Sequence, residues 1–190
     1  MIKDLIEKNR SYRRFDQKSP VDIETLRQLV DLARLCPSAA NRQPLKYILS
    51  YTPEKNNMIF PHLAWAGYLT NWPGPSQAEQ PTAYIIILGD TTIAKSFHCD
   101  HGIAAQSILL GAAEKGLGGC IIGSIQRDEL RKVLNIPQQY EILLVIALGK
   151  PAEKVVLEST SKTGSIEYYR DDKDVHHVPK RPLDEIILEF

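Results

Sequence analysis

Three short stretches carry residue types that could do chemistry. "NRSYRRF" (9–15) sets Arg10, Arg13 and Arg14 around Ser11. A guanidinium is a planar fork of donors suited to phosphate oxygens, or to a carbonyl beside a ring nitrogen, and a serine adds a hydroxyl donor. A nucleic-acid-binding arm, a solvated basic face and a phosphate site all use these types. "PSAANRQP" (37–44) is a loop of small residues and side-chain amides that lets backbone approach a flat ligand while Asn41 and Gln43 offer hydrogen bonds. "HVPKRPL" (177–183) places Lys180 and Arg181 between two prolines that stiffen the chain. Taken singly, the last two also read as an ordinary helix-to-strand loop and a solvated turn.

Charge balance narrows the choice. The chain has 190 residues, with Lys+Arg and Asp+Glu both at 23. A large nucleic-acid footprint needs a basic excess, so a nucleic-acid partner is not expected and any anion must be held by a local cluster. The segment "MIKDLIEKN" lacks the apolar core of a secretory signal, and no apolar run approaches about 18 residues, so no membrane association is expected. Cys36, Cys99 and Cys120 are odd in number and form no CxxC, which argues against zinc or a disulfide framework. Reduced, mostly buried thiols in a cytoplasmic protein are expected. His176 and His177 adjoin Asp174 but have no further well-spaced ligands, so they read as surface residues and no metal is expected.

The elements that must position these stretches follow from periodicity. Ile23, Leu26, Leu29, Val30 and Ala33 recur at helical spacing behind an Asp22 N-cap, and the helix must stop before Pro37. "LKYILSY" (45–51) and "TAYIIILGD" (82–90) read as strands, the second buried on both faces. Between them lies a weakly helical segment and the loop "NWPGPSQAEQP". A nearly all-apolar helix is expected from about Asp100 to Lys115, with Gly116 beyond its C-terminus, in the middle of the structure or at a subunit interface. "GGCIIGSI" then reads as a strand, "QRDELRKVLNIP" as an exposed helix and "YEILLVIALGKP" as a strand. The polar residues from Lys150 on cannot form a core and read as an arm that wraps over a partner. One α+β or α/β sheet domain spanning 1–190 is expected, with 150–190 as its extension. No GxGxxG opens a helix after a first strand, and no Walker A is present.

Order and spacing then add what single stretches lack. An Arg-Ser-x-Arg stretch near residue 10, a "PSxxNxQP" loop about 30 residues on, an Ala-rich helix ending "KGLGGCIIG", "NIP…IALGKP" and a terminal "VPKRPLDEII" together resemble the nitroreductase family of FMN enzymes. The resemblance implies a three-layer α+β fold with a central, mainly antiparallel sheet, and a homodimer with exchanged C-terminal arms and two FMN sites at its interface. By matching position, Arg10 and Ser11 would face the FMN phosphate and ribityl chain, and Arg13 the N1–C2 carbonyl edge. Pro37, Ser38, Ala39 and Asn41 would come from the other subunit, supported by Gln43. Ile122 and Gly123 would lie along the ring near N5, and Lys180 and Arg181 would close the phosphate site. Arg14 has no family role and reads as a surface charge.

The resemblance implies ping-pong hydride transfer from NAD(P)H through flavin N5 to a small acceptor such as a nitroaromatic or quinone. The cofactor carries that chemistry, so no catalytic side chain is required. Reduction, dehydrogenation or dehalogenation of a specific metabolite is an alternative, as is flavin carriage without turnover. Trp65, Tyr68 and Trp72 are the candidates for a substrate mouth, with packing in a core or interface as the other reading. Two departures from the family pattern bear on the flavin site: Asn9 stands where an arginine is common, and Leu45 where tryptophan is frequent.

Overall fold

The run "AYIIILGD" is buried along all eight positions because both faces of its strand are covered. The computed structural model describes residues 1–160 and 164–189. Its main sheet comprises β1 (Leu45–Ser50), β2 (Ala83–Asp90), β3 (Gly118–Ile122) and β4 (Tyr140–Gly149), in the order β1-β2-β4-β3 and antiparallel at every pairing.

Period-two alternation sorts the strand residues into two cores. Ala83, Ile85, Ile87, Ile146 and Leu148 face α2 (Ile23–Arg34) and α4 (Asp100–Glu114), where Leu26, Leu29, Ala105 and Ile108 close the layer. Tyr84, Ile86, Leu88, Val145 and Ala147 face the opposite side. There Ile59 of α3 (Pro53–Ile59) and Leu130 of α5 (Arg127–Val133) pack over them. Helices on both faces of one antiparallel sheet make three layers. The expected caps hold: Asp22 accepts the Thr25 N–H at 2.7 Å, and Gly116 takes φ +71 beyond α4.

The "GLGG" run owes its glycines to a close approach. Residues 11–16 cross the open edge of β3: Ser11 bridges Gly119, and the Tyr12 N–H donates to the Gly119 carbonyl at 3.0 Å. A Cβ on Gly118 would lie 2.4 Å from the Tyr12 ring, and one on Gly119 would lie 2.5 Å from the Ala147 carbonyl oxygen. Only bare backbone lets the arginine strip and β4 flank β3 so tightly.

Several expectations need correction. α1 (Ile2–Lys8) precedes the arginine strip and was not foreseen, and β3 ends at Ile122 rather than running through "GSI". The residues after Lys150 form a second, small sheet from β5 (Val155–Ser159), β6 (Tyr169–Arg170) and β7 (His176–Lys180), in the order β5-β7-β6. β5 and β7 run parallel, which requires a crossover that no local hairpin signal announces. His176 is 1% exposed rather than a surface residue, because alternation along β7 turns it toward the arginine strip. The apolar end of the chain, with α6 (Leu183–Ile186), stays exposed at Leu183, Ile186 and Ile187. Cys120 is buried and Cys36 half-buried, but Cys99 is exposed; all three thiols are free. No described helix is long and apolar enough to cross a membrane.

Gly119→Ala should therefore destabilise the protein by about 1–3 kcal/mol, the usual cost of overpacking. Urea denaturation checks it, and an unchanged midpoint would show that the strip can shift at no cost.

Candidate functional site

The backbone of the arginine strip is held by a single buried carboxylate. Glu153 has a side chain 2% exposed, and its Oε1 accepts the N–H groups of Arg13 and, at 3.1 Å, Arg14. Its Oε2 accepts from Arg170 Nη2 at 2.7 Å, which ties the strip to β6. Two backbone donors and a guanidinium satisfy an anion that would otherwise be costly to bury.

With its backbone fixed, the strip distributes its three guanidinium groups differently. Arg14 is not a surface charge: its side chain is 17% exposed and pairs with Asp174 and, at 3.6 Å, with Glu79. Arg10 donates to the Ile6 carbonyl at 2.6 Å, while its Nε is buried with no partner. Burial lowers the Arg10 pKa. Arg13 is 8% exposed; its Nη1 donates to the Ser11 carbonyl at 3.3 Å and lies 3.2 Å from His176 Nε2. The Tyr168 ring covers the Arg13 guanidinium at 4.7 Å.

Arg10, Ser11, Arg13 and Lys180 line one cavity of about 360 Å³, together with Asn9, His176 and Tyr168. Its wall carries three cationic side chains and no carboxylate. Asn9 donates to Gln106 Oε1 at 3.3 Å on that wall. Arg13 and Ile121 also belong to a second cavity of about 200 Å³, bounded by Trp65 and by Cys120 through Ser124, so Ile122 and Gly123 lie there. One basic cavity and one cavity of mixed polarity that carries a single charged side chain thus meet at Arg13 and Ile121.

Other expected site residues lie elsewhere. Arg181 lines neither cavity and pairs with Glu185 at 2.5 Å. Pro37, Ser38 and Gln43 line a separate cavity of about 150 Å³ with Leu45 and Asp100. There Asp100, at the start of α4, accepts from Ser38 Oγ at 2.6 Å and from the Ala39 N–H at 3.0 Å. Ala40, Asn41 and Gln43 all hold positive φ, and Gln43 reaches back to Asn41 Oδ1 at 3.2 Å. The loop is thus pinned by Asp100 and by its own hydrogen bonds, with Pro37, Asn41 and Gln43 exposed, and it lines neither of the two cavities. Of the aromatic candidates, Trp65 lines the second cavity and packs on Phe60. Tyr68 leans on Tyr168 with centroids 4.9 Å apart. Trp72 lines neither cavity; its ring faces Arg170 at 4.5 Å and Arg14 at 5.8 Å.

Sequence reasoning missed Glu153, Tyr168 and His176. No motif announces a lone glutamate that caps backbone 139 to 140 residues away. The alternation in β7 could have separated His176 from His177, had that strand been recognised. His177, on the other face, sits between Glu158 and Asp171, with Nε2 3.1 Å from Asp171 Oδ2. Among the described residues no group of side chains could hold a metal ion.

Comparison with known proteins fits this geometry. The nitroreductase family matches residues 6–150. The chain belongs to the nitroreductase family. It is 27% identical over 158 residues, 79% of this chain and 85% of the relative, to a protein of Archaeoglobus fulgidus provisionally named NADH dehydrogenase/NAD(P)H nitroreductase. A nitroreductase family protein of Streptococcus pneumoniae superimposes with a TM-score of 0.73 at 21% identity, over 100% of both chains. A provisionally assigned nitroreductase of Exiguobacterium sibiricum, solved in complex with FMN, gives a TM-score of 0.67 at 17% identity, over 80% of this chain and 89% of that one. At these identities the structures speak for the α+β fold.

Two tests follow from this geometry. Glu153→Leu should cost about 3–5 kcal/mol, because it removes the buried partner of Arg170 and leaves it only the exposed Asp174 at 3.9 Å, and adding Arg170→Met should recover part of that loss. A double-mutant cycle by urea denaturation reads the coupling, and strict additivity would show that the pair is not a unit. Separately, the hydrogen bonds to Glu158 and Asp171 raise the His177 pKa above its ordinary 6.5. A pKa raised in the folded state contributes stability that is complete below the unfolded value and lost as pH rises through the folded one. The Tm advantage of wild type over His177→Gln should therefore shrink as pH rises from about 6 to 9; an advantage that grew with pH would contradict this.

Proposed function

We propose that the protein is an FMN-dependent NAD(P)H oxidoreductase, active as a homodimer. One observation carries the reading: a cavity walled by Arg10, Arg13 and Lys180 and by no carboxylate, meeting at Arg13 a second cavity bordered by Trp65, Ile121 and Ile122. That donor set fits FMN, whose phosphate is a dianion and whose ring is planar. The partnerless Nε of Arg10 fits too, since a buried donor without an acceptor awaits one. Bound FMN would supply the hydride chemistry, taking electrons from NAD(P)H and passing them to a small acceptor such as a nitroaromatic or quinone.

The chain's own residues would bind, orient and tune. Arg10, Ser11 and Lys180 would hold the phosphate end, and Arg13 the edge of the ring that gains negative charge on reduction. Ile122 and Gly123 would border the ring, and Trp65 and Tyr68 the mouth. Trp72 would act from behind, as the surface on which Arg170 and Arg14 stack. Arg181 would contribute at longer range, since Glu185 already engages it. The free thiols fit a reducing compartment such as the cytoplasm.

Placement of the "PSAANRQP" loop supports the dimer. Pro37, Ser38, Ala39 and Asn41 line neither cavity, so they would complete the site of a second subunit. Exposure of Leu35 at 65% and of the apolar C-terminal residues fits surface that a partner covers. In that dimer the exposed apolar end beyond β7, with Leu183, Ile186 and Ile187, would be the part of the C-terminal extension that packs on the partner.

Purified protein should bind about one FMN per chain and bleach on anaerobic mixing with NADH or NADPH. Lys180→Ala should weaken FMN binding at least about tenfold, the effect of losing one charged hydrogen bond, whereas Arg181→Ala should do less. A colourless protein that takes up no added FMN would end this reading, and a flavin-loaded, active monomer by light scattering would end the dimer.

A further inference from the structure

Arg13 is the one basic residue common to both cavities, and the groups that hold it have a consequence of their own. A guanidinium has donors only, so whatever fixes it must offer a lone pair or a π-face. A carboxylate would do so at the cost of cancelling its charge. The nearest carboxylate, Glu153, is turned instead to the backbone N–H of Arg13 and to Arg170. The side chain of Arg13 meets neutral partners: the Ser11 carbonyl, the face of Tyr168 and the imidazole of His176.

We propose that His176 is a positioning residue for the flavin site, a neutral acceptor that fixes the Arg13 guanidinium at the junction of the two cavities without neutralising it. The proposal rests on the FMN reading above. His176 is 1% exposed, and its Nε2 can accept from Arg13 Nη1 only when unprotonated, so the remaining proton sits on Nδ1. Nδ1 is buried with no partner, which leaves Arg13 as the ring's polar anchor among the described residues. Tyr168 packs on the same imidazole at 5.3 Å, tilted by 48°, and on the guanidinium at 4.7 Å, so the three groups form one cluster. The neighbours oppose protonation. Burial, then Arg13, Arg170, His177 and Arg14, push the His176 pKa down to about 4. Glu153 faces Arg13 and Arg170 rather than this ring. Both Nη1 contacts are thus made to neutral groups of the cavity wall, and among the described residues Nε and Nη2 have no partner. That edge of Arg13 is kept for the ligand, with its full charge.

The experiment has two arms. In flavin-free wild-type protein, imidazole ¹⁵N NMR should show His176 neutral with the proton on Nδ1 at pH 6. A protonated ring, or a proton on Nε2, would overturn the proposal whether or not the protein binds flavin. In the second arm, FMN affinity is measured in the oxidised and reduced states. His176→Ala should weaken binding of the reduced form about tenfold more than of the oxidised form, because Arg13 then loses its fixed place beside the charge that appears on reduction. His176→Gln, whose amide oxygen can replace Nε2, should restore the ratio to within about threefold of wild type. Equal weakening of both forms by His176→Ala, or no rescue by His176→Gln, would make His176 a packing residue only. Failure of wild type to bind FMN at all would instead sink the FMN reading, and the proposal with it.

Discussion

The buried carboxylate of Glu153 is the constraint on which the site depends. It takes the backbone of Arg13 and Arg14 with one oxygen and Arg170 with the other, and so fastens the start of the chain to its end. The arginine strip makes only scattered backbone hydrogen bonds, to Gly119 and Glu79 among them, and has no ladder of its own. Without Glu153, two N–H groups would be left without an acceptor and the Arg170 guanidinium would keep only the exposed Asp174 at 3.9 Å, each loss costing about 1–3 kcal/mol. The arginines could then not be held at a defined distance from β3.

Once the strip is fixed, packing decides where each charge goes. β3 can carry the strip on one edge and β4 on the other because Gly118 and Gly119 leave no side chain between them. Arg13 then lines both cavities beside Ile121, while the next residue, Arg14, is sent to Glu79, Asp174 and the Trp72 ring. Adjacent residues of an extended segment point opposite ways, so "RR" yields one cation for the cavity and one for the scaffold. Arg170 also lies over the Trp72 ring, at 4.5 Å, which makes the tryptophan part of the clamp rather than of either cavity.

Legibility in the sequence follows the range of the interactions. The sheet and its covering helices were legible because they rest on local periodicity: the isoleucine run of β2, the Asp22 cap, the alanine-rich α4. The residues that gather at the basic cavity were legible from motif order, since Arg10, Ser11, Arg13 and Lys180 do share one wall. What escaped is what long-range contacts decide. His176 and His177 look equivalent in the sequence, yet strand alternation buries one on Arg13 and gives the other two acidic neighbours. Arg14 looked like a spare surface charge for the same reason, because Asp174 lies 160 residues away.

A chain with no net charge can bind a dianion only by segregating its own anions from the site. Here the nearby carboxylates are each committed elsewhere: Glu153 to backbone and Arg170, Asp174 and Glu79 to Arg14, Glu185 to Arg181. What remains in the cavity is Arg10, Arg13 and Lys180, like charges held together with neutral side chains around them. That arrangement raises the free energy of the empty site, and an anion that relieves it stabilises the folded chain through mass action. The scaffold therefore bears the repulsion through Glu153 and the neutral pair of Tyr168 and His176, and an anion bound there would release it. Preorganisation of this kind accounts for acid–base pairing near the site that goes to backbone and scaffold arginines and not to the Arg13 side chain that lines both cavities.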